Sequence, residues 1–292
     1  MTATTRSLRL MADAADGLRQ RSLWARGIRT RLVRHAEGRL HVLDVPGVGD
    51  LPPVMFLHGL GSCAADEVRT ILALRRLCRH VYAADLPAHG RSSPPADGRV
   101  TSGLSHLVAG LRAVTDEPVV LVGNSLGGFA SVRLAHAAPE RVAGLFLLAP
   151  GGAPLTVAEM AEVLRAFHGA GQTETLDFLD RTFIKPLWYR QVAALLIRGR
   201  AARPALSRAV AGADVDDLLL PEELSGLRIP VRVLWGELER LLPAHGHDFF
   251  AAHLPPGSVE VAPGIGHAPQ HQNLRYTLGR LETFLRALPT PV

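Results

Sequence analysis

The apolar positions along the chain fall into two periods. Short unbroken runs, Val54-Met55-Phe56-Leu57 and Val119-Val120-Leu121-Val122 among them, are bounded by turn residues, as in strands buried on both faces. Residues 81–85, 142–148, 229–235 and 258–261 read the same way. Between the runs lie segments of helical spacing at 67–77, 101–115, 126–138 and 274–288. Strands alternating with such helices predict βαβ units, hence an α/β fold whose mostly parallel central sheet is flanked by helices. Residues 28–35 and 40–45 alternate around Glu37-Gly38 and predict a hairpin. Residues 7–24 predict a helix with Leu8, Met11, Ala15 and Leu18 on one side and arginines on the other.

The alternation stops at residue 153. From 153 to 226 the helical pattern continues with no strand between, and Thr156-Val157-Ala158-Glu159 is a capping box opening one of its helices. A further helix is predicted over 186–199, and the strand rhythm returns at 229. Three parts follow. Residues 1–34 are an extension, 35–152 and 227–292 an α/β core, and 153–226 a helical cap over the sheet, inserted before the last two strands.

Composition narrows the function. The chain has 292 residues, 47% apolar and 20% charged, which suits a folded protein rather than a disordered one. No run approaches the roughly 20 apolar residues of a membrane span, and charge at Arg6 and Arg9 breaks any signal-peptide core. Cys63 and Cys78 are too few for a disulfide framework, so a reducing, cytoplasmic setting is expected. The net charge of +5 invites a nucleic-acid reading. Its distribution argues against one: residues 1–34 hold eight Arg against two Asp, and the rest of the chain is near neutral. A small-molecule substrate is therefore expected, with no nucleic-acid partner. The basic helix reads as a docked surface element, with attachment to an anionic membrane or to a partner as alternatives. The oligomeric state is left open.

The segment that carries chemistry is Gly123-Asn124-Ser125-Leu126-Gly127-Gly128. It places G-x-S-x-G between a predicted strand and a predicted helix, the context in which the pattern makes a sharp turn that projects a serine. Residues two before and two after that serine must be small, which Gly123 and Gly127 satisfy. Ser125 is the candidate nucleophile, and the N–H of Leu126 a candidate oxyanion donor.

Four further segments occur in order, and with the elbow they resemble the α/β-hydrolase superfamily from about Gly38 to the C-terminus. His58-Gly59-Leu60-Gly61 is similar to the family's HGxG loop. Asp85-Leu86-Pro87-Ala88-His89-Gly90-Arg91-Ser92 resembles its D-x-P-G-H-G-x-S segment, with Ala88 where Gly is usual. The segment from Trp235 to Pro243 resembles its acid loop, and Gly264-Ile265-Gly266-His267 its histidine loop. The resemblance implies His267 as general base, a role for which imidazole has a suitable pKa. His267 also lies between the last predicted strand and the last helix; His245, His247 and His271 are rivals read as solvated loop residues. The family's acid position, usually Asp, is Glu239 here, with Glu237 the nearest rival. Asp214, Asp216 and Asp217 read as a solvated face. By the same resemblance the N–H of Leu60 is the second oxyanion donor, and the order Ser125, Glu239, His267 is that of the family.

A serine nucleophile implies ester hydrolysis through an acyl-enzyme, with no cofactor and no metal. Phe183, Trp188 and Tyr189 of the predicted cap are candidate lining residues for an apolar substrate portion, while Arg181, Lys185 and Arg190 read as surface cations. The elbow sequence is also that of carbon–carbon hydrolases of the superfamily, but Ala268 stands where those enzymes usually place Trp. Carbon–carbon cleavage, acyl transfer and ligand binding on an inactive scaffold are the alternatives.

Overall fold

A computed structural model describes residues 3–36, 38–99, 103–168 and 171–289. Glu37 of the predicted hairpin turn and the first residues of the predicted 101–115 helix lie outside the described residues. The chain opens with helix α1 (Ala3–Ala25), then the hairpin β1 (Arg29–His35) and β2 (Gly38–Pro46). Strand β3 (Val54–Leu57), helix α2 (Val68–Leu74), strand β4 (His80–Ala84) and helix α3 (Leu104–Val114) follow. Next come β5 (Val119–Asn124), α4 (Leu126–Ala137) and β6 (Val142–Leu148). Helices α5 (Val157–Leu164), α6 (Gln172–Thr182), α7 (Arg190–Ala201), α8 (Pro204–Ala211) and α9 (Pro221–Ser225) intervene before β7 (Val231–Gly236). The chain closes with α10 (His245–His253), β8 (Val259–Ala262), α11 (Pro269–Gln272) and α12 (Leu274–Arg286).

Among the described residues the eight strands form one sheet in the order β1-β2-β4-β3-β5-β6-β7-β8. The first two pairings are antiparallel and the rest parallel. Alternate residues of each strand feed opposite faces. Met55 and Leu57 pack with α3 and α4, while Val54 and Phe56 pack with α2 and α12. Both faces are covered, which explains why β3, β5 and β6 read as unbroken apolar runs. A third cluster, built around Leu164, Phe167, Leu206 and Val210, holds α5, α7 and α8 together above the sheet.

The structure adds detail to the sequence reading at the N-terminus and near residue 245. Residues 29–35 are a sheet strand in full register with β2, so a boundary at 34 would cut through β1. Helix α1 lies flush on α7: a Cβ at Gly199 would meet the Leu8 carbonyl and the Ala12 methyl. Helix α10 was not anticipated, because His245-Gly246-His247-Asp248 lacks an apolar repeat at its start.

Candidate active site

The parallel strands converge so that the loops after β3, β5, β7 and β8 share one edge of the sheet, where open α/β sheets bind ligands. Ser125 directly follows β5 with φ 53° and ψ −117°, a positive-φ conformation outside the left-handed helical region that costs an L-residue on the order of 1–3 kcal/mol. Backbone hydrogen bonds hold it there: its N–H donates to the Leu148 carbonyl (3.1 Å), and its carbonyl accepts from Gly151 (2.9 Å) and Gly128 (2.8 Å). Tight packing enforces the small neighbours. A Cβ at Gly127 would strike the Leu57 carbonyl, and one at Gly123 the Gly127 carbonyl. Helix α4 starts directly after the serine. The Leu126 N–H therefore lacks an intrahelical acceptor and sits at the positive end of the helix dipole.

The Glu239 and His267 side chains, both 4% exposed, meet through a contact of 2.8 Å between Oε2 and Nδ1. The other carboxylate oxygen, Oε1, accepts from the N–H groups of Leu241 (2.7 Å) and Leu242 (3.1 Å). Burial opposes ionisation of Glu239, but the adjacent imidazole and these N–H donors outweigh it and hold its pKa below the ordinary carboxylate value. The rival Glu237 accepts instead from the Gly264 N–H (2.7 Å). The rival histidines are paired elsewhere: His245 with Glu159, His247 with Asp248 and His271 with Glu67.

Asn124 was singled out as part of the elbow, but its contacts reach further. Its Nδ2 donates to the Leu148 carbonyl (2.9 Å) and to the carbonyl of His267 (3.2 Å), tying the serine's strand to the histidine's loop. Gln272 braces that loop from the other side, accepting from Gly266 (3.2 Å) and donating to the Thr182 carbonyl (3.0 Å).

The loop after β3 is fixed by two neutral histidines. His58 accepts the Leu86 N–H at Nε2 (3.0 Å), so its Nδ1–H donates to the Gly59 carbonyl (2.8 Å). His89 accepts the Gly61 N–H at Nε2 (3.2 Å) and donates from Nδ1 to the Pro87 carbonyl (3.0 Å). Burial pushes both imidazole pKa values down, that of His89 to about 3. Cys63, on the same loop, is no rival nucleophile, because burial pushes its thiol pKa well up.

A cavity of about 620 Å³ connects these loops with the helices above. Ser125, His267, Leu60 and Asn124 line its floor side, and Phe167, Phe178, Phe183, Leu196 and Ile197 contribute much of its apolar wall. Trp188 and Tyr189 also line it, although Trp188 is 94% exposed. No hydrogen bond joins the Ser125 and His267 side chains in this structure; such contacts often tighten only with substrate present. Arg181 and Arg190 are engaged by Glu162 and Asp180, and neither lines the cavity. The sequence pattern missed a further wall: Arg19, Ser22 and Leu23 at the end of α1, and Arg26 just after it, reach the same cavity. Among the described residues no group of three or more His, Cys, Asp or Glu could hold a metal ion, and no helix is long and apolar enough to cross a membrane.

Known proteins share this architecture. A pimeloyl-[acyl-carrier protein] methyl ester esterase of Aeromonas hydrophila is 30% identical over 246 residues, covering 78% of this chain and 92% of the esterase. A 2-hydroxymuconate semialdehyde hydrolase of Pseudomonas putida is 26% identical over 280 residues, covering 91% and 93% respectively. The crystal structure of a carboxylesterase from Bacillus subtilis superimposes with a TM-score of 0.75 at 21% identity, covering 96% of this chain and 98% of the esterase. The model of the alpha/beta hydrolase family matches residues 54–277, from the first buried strand to the first turn of the last helix. With that span of the chain matched, this protein belongs to the alpha/beta hydrolase family.

Proposed function

We propose that the chain is a serine hydrolase that cleaves carboxylic esters with an apolar portion, through an acyl-enzyme on Ser125. The observation that carries this reading is the 2.8 Å contact between Glu239 Oε2 and His267 Nδ1, on the cavity that also exposes Ser125. The contact fixes the imidazole with its proton on Nδ1, leaving Nε2 free to take the proton of the serine hydroxyl. The oxygen of Ser125 attacks the ester carbonyl carbon, and the N–H groups of Leu126 and Leu60 receive the charge on the carbonyl oxygen. Collapse of the tetrahedral adduct breaks the bond to the alcohol, which takes the proton from His267. Water then repeats the sequence and releases the acid. Helices α5–α9 are assigned as a cap, with Phe183, Trp188 and Tyr189 among its lining residues, and the rest of the matched chain as the core.

The test is turnover of p-nitrophenyl esters across acyl lengths, together with labelling by a fluorophosphonate. Wild type should turn over and be labelled, and Ser125→Ala should do neither. Intact turnover by Ser125→Ala would overturn the reading. The similarity to a 2-hydroxymuconate semialdehyde hydrolase over nine-tenths of both chains supports a second reading, carbon–carbon cleavage by the same three residues. Product analysis with a vinylogous diketone separates the two.

A further inference from the structure

The proposed activity leaves one buried charge unexplained. Arg200, on α7, is 4% exposed and reaches two other parts of the molecule at once. Its Nη1 donates to the carbonyl of Gly61 (3.2 Å) and to Asp66 (2.5 Å), both on the loop after β3. Its Nη2 and Nε donate to Asp16 of α1 (2.5 and 3.3 Å). Asp66 in turn accepts from the Ser62 hydroxyl (3.0 Å) and the Cys63 N–H (3.3 Å), and pairs with Arg19 of α1 (2.5 Å). Arg203 joins Asp16 and Asp13, so three arginines and three aspartates form one balanced network.

Its target is the residue after Leu60. Gly61 is held at φ +74° by Arg200 on its carbonyl and His89 on its N–H. A planar guanidinium with donors in a fixed fork can hold a carbonyl and two carboxylates in one geometry, which an ammonium cannot. We propose that Arg200 is a positioning residue for the oxyanion loop, and that α1, through Asp16, holds Arg200 in place. The N-terminal helix is then a working part of the active site. This proposal rests on the serine-hydrolase reading and adds what aligns the Leu60 N–H.

Misplacing one oxyanion donor incurs part of the hundredfold or greater loss seen when a donor is removed outright. In the full chain, Arg200→Met should lower kcat on a p-nitrophenyl ester by roughly 10- to 100-fold, with KM changed less than about threefold. Asp16→Asn should lower kcat by about 5- to 10-fold, and Arg200→Lys should rescue little of the loss. A second readout separates alignment from mere stability. A trifluoromethyl ketone places a hemiketal oxyanion between the donors, whereas the alcohol product does not. Inhibition by the ketone should weaken in proportion to kcat/KM, while inhibition by the alcohol stays within about twofold.

Asp16→Asn, a nearly isosteric change that leaves Arg200 and Asp66 in place, keeps the test available should Arg200→Met not fold. Unchanged kcat and ketone affinity in folded Asp16→Asn would overturn the proposal. So would a rise in KM alone with Arg200→Met, which would make Arg200 a substrate anchor. If wild type neither hydrolyses the ester nor binds the ketone, it is the serine-hydrolase reading that fails.

Discussion

Asn124 Nδ2 donates to the carbonyl oxygen of His267 at 3.2 Å, so the residue before the candidate nucleophile holds the backbone of the candidate base. The two loops come from strands with β6 and β7 between them in the sheet. Nothing local to either loop fixes their separation, and this bond spans it. Asn124→Ala would leave the His267 carbonyl short of a donor in a buried setting, while the Leu148 carbonyl keeps the Ser125 N–H, at a stability cost of about 1–3 kcal/mol. Ester kcat is expected to fall by roughly 10- to 100-fold as the imidazole drifts. A kcat within twofold of wild type, with a lowered Tm, would mean that Asn124 only stabilises.

The Glu239 carboxylate is used at both oxygens, and this makes its amide a severe substitution. In Glu239→Gln the oxygen must stay with the Leu241 and Leu242 N–H groups, so the NH₂ is turned toward His267 Nδ1. The imidazole must then accept at Nδ1 and carry its proton on Nε2, where it cannot take one from serine. The expected loss in kcat is about 10⁴-fold with little change in KM, by analogy with the aspartate-to-asparagine change in serine proteases. Glu237→Gln, which touches only the Gly264 N–H, is the comparison. A large loss in Glu237→Gln with Glu239→Gln near wild type would reverse the assignment of the acid.

Acid should weaken the fold before carboxylates begin to titrate. His89 and His58 are neutral and buried, and both have pKa values pushed below the usual imidazole value, His89 to about 3. At His89 the unfolded chain therefore binds more protons than the folded one between about pH 6.5 and about 3, and His58 acts in the same direction below about pH 6.5. Stability rises with pH across that window and is lost as pH falls through it, at up to about 1.4 kcal/mol per unit for each histidine. Urea midpoints at pH 7, 6 and 5 should fall steadily. His89→Gln, whose side-chain oxygen can still accept the Gly61 N–H, should flatten the slope. An unchanged slope would exclude His89 as the source.

Ala88 stands where the family usually has Gly, and the backbone there is still left-handed, with φ 66°. A left-handed alanine costs about 1–2 kcal/mol, and glycine gives back about 0.5–1 kcal/mol of that through unfolded-chain entropy. Ala88→Gly should therefore stabilise by about 0.5–1 kcal/mol and raise Tm by roughly 1–4 °C with activity retained. A lower Tm would show that packing of the buried methyl outweighs the strain.

Much of the fold was legible in the sequence because its causes are local. A strand covered on both faces has to be apolar throughout, so Val119–Asn124 announces itself, and a turn closing against Leu57 requires glycine at 127. The capping box at Thr156 is likewise a four-residue device, and the Thr156 hydroxyl does accept from Glu159 N–H at 3.2 Å. Helix α10 was missed because its burial is tertiary: Phe250 packs on Trp235 of β7, and no apolar repeat in its own first turn signals it.

Sequence by itself determined the strand–helix alternation, the serine at a sharp strand-to-helix turn and the confinement of the net positive charge to the first 34 residues. Only the tertiary structure decided what that charge does. Arg19 pairs with Asp66 of the loop after β3, while Asp13 and Asp16 of the same basic segment neutralise Arg203 and Arg200 at sequence separations of up to 190 residues. A helical pattern records which face is apolar, but not which distant carboxylate meets an arginine. Ion pairing has no period along the chain, so an appendage in the sequence becomes a wall of the cavity in the fold.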